Sequence, residues 1–253
     1  MRAVAVVLVA LATLTACGGS GRSGGSGAED VTLDVLAASS LTESFEALAE
    51  DFEADNPGVT VRLSLGSSSA LAQQVTEGAP ADVLATADLP SMELAGDDVA
   101  AATEFATNEL VLVTPSDDPG GISSLDDLAD AQFVTCVDSA PCGALADQLL
   151  EDAGVTAEPV SREADVKAVL AKVTSGEVDA GFVYVTDAVA AGDEVRRVEV
   201  PGAADLPARY AVATVTEARE PELAEAWVDL VLGEDGQQAL ADAGFGPPVD
   251  GSP

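Results

Sequence analysis

The 253-residue sequence has no histidine and only 10 Lys and Arg residues against 45 Asp and Glu, which gives a formal net charge of -35. Without imidazole the chain has no Ser-His or Cys-His nucleophile pair, no histidine ligand for zinc and no general base with an unperturbed pKa near neutrality. The shortage of basic residues argues against nucleic acid or anionic lipid as a partner, because phosphate binding requires a basic face. An enzyme would have to work with carboxylates or thiols.

Aromatic residues are also scarce, at 4% of the chain, so the sequence predicts a core built mainly from Ala, Val and Leu. The 23 Gly and 13 Pro residues predict many turns between regular elements. The surplus of acid indicates a solvated surface rather than a cation site, since no EF-hand spacing occurs.

Only the N-terminus has a long apolar run, and it is too short to span a bilayer as a mature helix. Residues 1–17 therefore predict an export signal. Its ending, Leu14-Thr15-Ala16-Cys17, resembles the bacterial lipobox, so lipid attachment at Cys17 and anchoring at the outer face of the cytoplasmic membrane are expected. An ordinary signal peptide with a chance cysteine is the alternative. The Gly/Ser-rich residues 18–30 would form a tether reaching roughly 20 Å.

From residue 31 onward, strand and helix patterns alternate. Val31, Leu33 and Val35 alternate with polar residues, as in a strand, and a helical apolar spacing follows over residues 41–52. Ser40 and Glu43 fit a capping box, which places Ser40 at the N-cap of that helix. Continuous apolar runs such as "ELVLVTP" and "VDAGFVYVTDA" predict strands buried on both faces.

The alternating strands and helices fall into two successive groups along the chain. Two such groups predict an α/β protein with two doubly wound lobes and parallel sheets. Lobe 1 is assigned to residues 31–109 and 211–253, and lobe 2 to residues 110–210. Two crossing strands, near Leu110 to Val113 and Tyr210 to Val212, would join the lobes and let them close like a clamp.

Hydroxyl-rich segments follow the predicted strands. Ser39 and Ser40 follow the first, "GSSSALAQQ" with Ser67 to Ser69 follows the second, and Pro141-Cys142-Gly143 opens a later helix. Ligands of open α/β sheets bind at the carboxyl ends of the strands, where helix N-termini offer free N–H groups to anions. Taken singly, each serine is equally explained as a helix cap.

From about Val31 to Pro248 the sequence resembles the molybdate-binding proteins of ABC importers, which have the type II periplasmic binding fold. The resemblance implies extracytoplasmic capture of molybdate or tungstate and delivery to a membrane permease, with no reaction, no cofactor, no metal cation and a monomeric protein. The stretches that carry it include "AASSLTESF", "GSSSALAQQVTEGAPADVLATAD", "FATNELVLVTP", "PCGALA", "EADVKAVLAKVTSGEVDAGFVYVTDA" and "RYAVA".

The same resemblance implies five ligand contacts. Ser40 and Ser68 would donate hydroxyl and backbone hydrogens, Cys142 and Val166 their main-chain N–H groups, and Tyr184 its phenol. The family has alanine where this chain has Cys142, and a backbone contact tolerates that change. Apart from the resemblance, Tyr184 would be interpreted as an ordinary strand aromatic and Val166 as a core residue.

Cys136 and Cys142 remain once Cys17 is assigned to lipid. In an exported protein an even pair favours a disulfide, and closing so short a loop would stabilise the fold by roughly 2 kcal/mol. A redox-active pair is the alternative, but the spacing is not C-x-x-C and no basic neighbour would lower a thiol pKa.

Two rival functions stay open at this point. Another carrier of the same fold would bind sulfate or phosphate, and an exported enzyme would use carboxylates or the two thiols. In either binding function, the excess negative charge is expected to slow anion capture more than it weakens the bound state, because exposed charges are screened beyond about 8 to 10 Å at physiological salt.

Overall fold

A computed structural model describes residues 31–249, and within them ten strands form two five-stranded sheets. The predicted signal, Cys17 and the tether lie outside the described residues. In chain order the strands are β1 (Val31–Ala38), β2 (Val59–Gly66), β3 (Val83–Thr86), β4 (Thr103–Asn108), β5 (Leu110–Pro115), β6 (Phe133–Cys136), β7 (Ser161–Glu163), β8 (Ala180–Tyr184), β9 (Val195–Val198) and β10 (Ala208–Thr214).

Eight α-helices of the described residues cover these sheets. The predicted α/β class with two lobes is confirmed. None of these helices combines the length and the apolarity needed to cross a membrane. In chain order they are α1 (Thr42–Asp55), α2 (Ser68–Thr76), α3 (Leu89–Ala95), α4 (Pro141–Asp152), α5 (Val166–Thr174), α6 (Val185–Ala191), α7 (Pro221–Leu232) and α8 (Glu234–Asp242).

The two sheets have the same arrangement, with strand orders β2-β1-β3-β10-β4 and β7-β6-β8-β5-β9. The prediction of parallel sheets is wrong for one strand of each, since β10 runs antiparallel to β3 and β4, and β5 antiparallel to β8 and β9. The antiparallel direction of these two strands follows from the place where the chain crosses between the lobes. It leaves each sheet at the cleft between the lobes, so the first strand after a crossing must lead away from the cleft, against its neighbours.

The crossings also correct the predicted lobe boundary. Tyr210 pairs with Ala106, and the whole of β10 belongs to the first sheet, so a boundary between residues 210 and 211 cuts through a strand. Leu110 to Val113 pair only within the second sheet. We therefore propose that the chain crosses at Glu109 and again within residues 199–207.

All nine aromatic side chains of the chain are buried, although they are few. Trp227 packs edge-on against Phe45, which packs against Phe105 in β4, and Phe105 in turn contacts Tyr210 with ring centroids 6.1 Å apart. Tyr210 then contacts Tyr184 at the end of β8, also at 6.1 Å. The aromatic residues thus connect the core of the first lobe to the cleft.

Candidate anion-binding site

A small cavity lies in the cleft, where β1, β2 and β8 end and where α2, α4 and α5 begin. Its walls come from both lobes. The five residues singled out in the sequence all line it. They are Ser40, Ser68, Cys142, Val166 and Tyr184.

Ser68 is the first residue of α2 and is buried. Its Oγ accepts a hydrogen bond from the backbone N–H of Ala87 at 2.8 Å. Because that bond uses a lone pair, the hydroxyl hydrogen stays available for a ligand. The neighbouring Ser67 and Ser69 bond to each other through their hydroxyls at 3.1 Å. Only the middle serine of the run is therefore both buried and positioned as a donor.

Ser40 does not form the predicted capping box. It lies in a 3-10 turn, Ser39–Leu41, and α1 begins only at Thr42, with no side-chain cap. Its Oγ instead shares a hydrogen bond of 2.7 Å with the Tyr210 hydroxyl. Burial raises the pKa of Tyr210 far above its ordinary value, so this partner stays protonated. A tertiary contact thus replaces the local cap.

The second lobe contributes two helix starts. Pro141 opens α4, which places Cys142 in its first turn, and Val166 is the first residue of α5. Backbone N–H groups in the first turn of a helix have no partner within the helix. Asp165 caps α5 by accepting the Ala168 N–H at 3.1 Å, which leaves the Val166 N–H for the cavity.

Cys136 and Cys142 are joined by a disulfide, as predicted, with their Cα atoms 5.8 Å apart. Both cysteines are buried, and the bond ties the end of β6 to the first turn of α4. Buried cysteines in such a bond have no thiolate to offer, which weakens the thiol-enzyme alternative. The disulfide instead holds the helix start that presents the Cys142 N–H.

Tyr184 is the last residue of β8, and its strand ends where the Asp187 carboxylate accepts the Tyr184 N–H at 3.1 Å. Residues 185–191 continue as α6, so the predicted strand "VDAGFVYVTDA" is too long. The phenol oxygen is fully buried and has no hydrogen-bond partner among residues 31–249. Burial raises the Tyr184 pKa well above its ordinary value, so the hydroxyl is a neutral donor that lacks an acceptor.

Among residues 31–249, no charged donor lines this cavity. Of the described residues that line it, Asp165 alone is ionisable at neutral pH, and its carboxylate faces its own helix start. Eight of the ten basic residues lie within residues 31–249, and six of those form ion pairs with carboxylates. The donors are therefore hydroxyls and N–H groups, supported by three helix N-termini, which favour an anion.

A larger groove adjoins the cavity and shares Ala87, Pro141 and Tyr184 with it. Its ionisable side chains are Asp88, whose pKa burial raises, and Arg209, whose guanidinium bonds Glu104 at 2.6 Å. The rest of its lining is mostly apolar. The smaller cavity is therefore the better match for a dianion.

Comparison with known proteins agrees with this arrangement. A sequence profile of the family described as bacterial extracellular solute-binding protein matches residues 33–246. The chain belongs to this family. Because the family consists of binding proteins, membership supports the prediction that the chain carries out no reaction.

The sequence is 40% identical over 223 residues to the molybdate-binding protein ModA of Mycobacterium tuberculosis, and the match covers 85% of this chain and 84% of that one. In structure it resembles the periplasmic molybdate-binding protein of Azotobacter vinelandii, with a TM-score of 0.76 and 24% identity over 86% of this chain and all of the other. It also resembles the sulfate-binding protein SubI of Mycobacterium tuberculosis, with a TM-score of 0.73 and 20% identity over 87% and 88%. The last two show the shared fold.

Three polar residues beside the anion cavity of this solute-binding protein were not predicted from the sequence. They are Tyr210, Lys167 and Asp187. Lys167 Nζ lies 3.0 Å from the buried Asp187 carboxylate. Burial raises the pKa of Asp187 to about 6, against the opposing effect of Lys167. Burial also lowers the pKa of Lys167, but Asp187 and Glu43 together raise it above its ordinary value. Of these three residues, only Lys167 had a signal in the sequence, because it is a charged residue directly after Val166.

Proposed function

We propose that this protein captures molybdate or tungstate outside the cytoplasm and delivers it to the permease of an ABC importer. One observation carries the proposal. Neutral donors from both lobes converge on one cavity, and the Tyr184 hydroxyl there lacks an acceptor. The 40% identity to a molybdate-binding protein supports the choice of anion. The oxyanion is cargo, and no cofactor is part of the proposal.

Neutral donors suit a tetrahedral dianion for two reasons. A hydrogen bond to a charged group contributes about 1.5–3 kcal/mol net of the hydration that is lost, so several of them together can give tight binding without any arginine. Hydrogen phosphate also carries a proton that needs an acceptor, whereas the five residues singled out in the sequence present hydroxyls and main-chain N–H groups and no carboxylate. The site therefore favours oxyanions that are fully deprotonated.

The lobes would close over the ion as a clamp. Ser40 and Ser68 belong to the first lobe, whereas Cys142, Val166 and Tyr184 belong to the second. Opening at the two crossings would separate the two sets of donors and release the anion. The closed, loaded form would be delivered to the permease, whose ATPase drives transport.

Calorimetric titration with molybdate, tungstate, sulfate and phosphate tests the proposed ligand. We expect tight binding of molybdate and tungstate, and binding of sulfate or phosphate that is at least 100-fold weaker. Sulfate is the most informative competitor, because it is also a dianion and differs chiefly in size. Binding of sulfate or phosphate alone would refute the proposal.

Ionic strength should change the rate of capture. The net charge of -35 repels a dianion at long range, and added salt screens that repulsion, so association is expected to accelerate as sodium chloride is raised. Dissociation depends mainly on short-range contacts and should change much less than association. Stopped-flow fluorescence of Trp227, the single tryptophan, provides the measurement. Association rates that do not depend on salt would contradict this expectation.

The N-terminus adds a proposed location. Residues 1–17 would direct export, Cys17 would carry the lipid, and residues 18–30 would tether the two lobes, acting as a monomer, to the outer face of the cytoplasmic membrane. Family membership supports an extracytoplasmic protein. The lipid and the monomeric state rest on the sequence.

A further inference from the structure

An ion cluster bridges the two lobes beside the anion cavity. Lys167 is the second residue of α5, directly after Val166. Its Nζ lies 2.7 and 2.8 Å from the two carboxylate oxygens of Glu43 in α1, and 3.0 Å from Oδ1 of Asp187 in α6. Glu43 belongs to the first lobe, and the other two residues belong to the second. The cluster therefore crosses the cleft.

The three members differ in burial, and the difference assigns them different roles. The Asp187 side chain is 0% exposed, that of Lys167 is 25% exposed and that of Glu43 is 48% exposed. Asp187 also accepts the Tyr184 N–H, so it is fixed to the end of β8. Lys167 is consequently held by its own lobe, while Glu43 reaches it from the other lobe and from near the solvent.

Separation of the lobes would break only one of the two ion pairs. Glu43 would leave with α1 and return to water, whereas the Lys167–Asp187 pair would stay intact within the second lobe. The ammonium would therefore remain partnered in an open form. Opening therefore loses the attraction between Glu43 and Lys167, but it does not leave a buried charge without a partner. A buried charge without a partner is what makes a broken ion pair very costly.

A second cross-lobe contact behaves differently. Asn108 Nδ2 donates to the Thr186 hydroxyl at 2.9 Å, next to the crossing at Glu109. Close to a pivot, relative movement of the lobes is small, so this contact can persist as they open. Among the ion pairs of residues 31–249, Glu43–Lys167 is the one that joins the two lobes, so opening must break it.

We propose that Glu43 and Lys167 form a latch across the cleft that slows release of the bound oxyanion, although neither side chain lines the anion cavity. Glu43 is a positioning residue, since it acts on the ligand only through closure of the lobes. The proposal rests on the proposed function, because it assumes that an anion is held between the lobes.

The test measures release of molybdate from the full chain by stopped-flow displacement with excess tungstate. Glu43→Gln is expected to raise the dissociation rate about two- to fivefold, the range expected of a partly exposed ion pair. Thermal stability of the ligand-free protein should stay within about 1 °C of wild type. Glu43→Ala provides a second variant with the same expected direction.

Glu46→Gln is the matched control. It makes the same charge change on the same helix, and Glu46 is exposed and in none of the ion pairs within residues 31–249. Its dissociation rate should equal that of wild type. Equal rates for wild type and both Glu43 variants, or equal acceleration by Glu46→Gln, would overturn the latch. Failure of the wild-type protein to bind molybdate would instead overturn the proposed function.

Discussion

Replacing Tyr184 with phenylalanine is expected to weaken molybdate binding by about 10- to 100-fold and to leave the ligand-free protein at least as stable as wild type. The phenol is a protonated donor at the cavity, and a hydrogen bond to a charged ligand is worth about 1.5–3 kcal/mol. The same hydroxyl is buried without a protein partner among the described residues, so its removal breaks no bond within the protein. Calorimetry and thermal denaturation measure the two effects separately.

Tyr210→Phe is the matched control, because these are the two tyrosines of the chain. The Tyr210 hydroxyl is bonded to Ser40 at 2.7 Å, so its loss should lower the free energy of unfolding by about 0.5–1.5 kcal/mol. The two variants therefore remove the same group with opposite consequences for the ligand-free protein. Wild-type affinity in Tyr184→Phe would show that the phenol does not contact the anion.

Local patterns predict the strands and the longer helices of this fold well. The alternation of Val59, Val61, Leu63 and Leu65 matches a strand that is half buried along one face, and the run from Leu110 to Pro115 matches one that is almost wholly buried. Such patterns do not predict the direction of a strand relative to its neighbours. The antiparallel course of β5 and β10 depends on where the chain crosses the cleft, which no local periodicity encodes.

The errors at the site have a common cause. Ser40 and Glu43 have the spacing of a capping box, but each finds a tertiary partner instead, Ser40 in Tyr210 and Glu43 in Lys167. Those partners are 170 and 124 residues away along the chain. A helix-capping rule considers only neighbours, so it cannot anticipate a competing long-range bond.

The five cavity residues came from a family resemblance, and the structure places them around one cavity. Spacing alone would have offered Ser39, Ser67 and Ser69 equally. What separates Ser68 from its neighbours is the Ala87 N–H that it accepts, a contact between the end of β3 and the start of α2. The packing of β3 against α2 thus decides which of the three serines is the donor. The run of three serines does not by itself predict which one it is.

Replacing Gly143 with alanine is expected to reduce both stability and affinity. A Cβ at this position would lie 2.0 Å from the carbonyl oxygen of Val137 and 2.7 Å from that of Cys136, and both are backbone atoms. That backbone cannot move freely. The disulfide ties Cys136 to Cys142, and the Val137 N–H donates to Glu163 O at 2.8 Å.

The first turn of α4 must therefore shift in Gly143→Ala, and the Cys142 N–H shifts with it. Overpacking of this kind costs about 1–3 kcal/mol, and loss of one bond to the anion lowers affinity about tenfold or more. Urea denaturation and calorimetry measure the two losses. Gly66→Ala is the control for stability, because Gly66 lines the same cavity and its added Cβ would meet Leu71 at an ordinary 3.7 Å. If Gly143→Ala bound molybdate as tightly as wild type, the start of α4 would not hold the anion, and the second lobe would have to grip it through Val166 and Tyr184 alone.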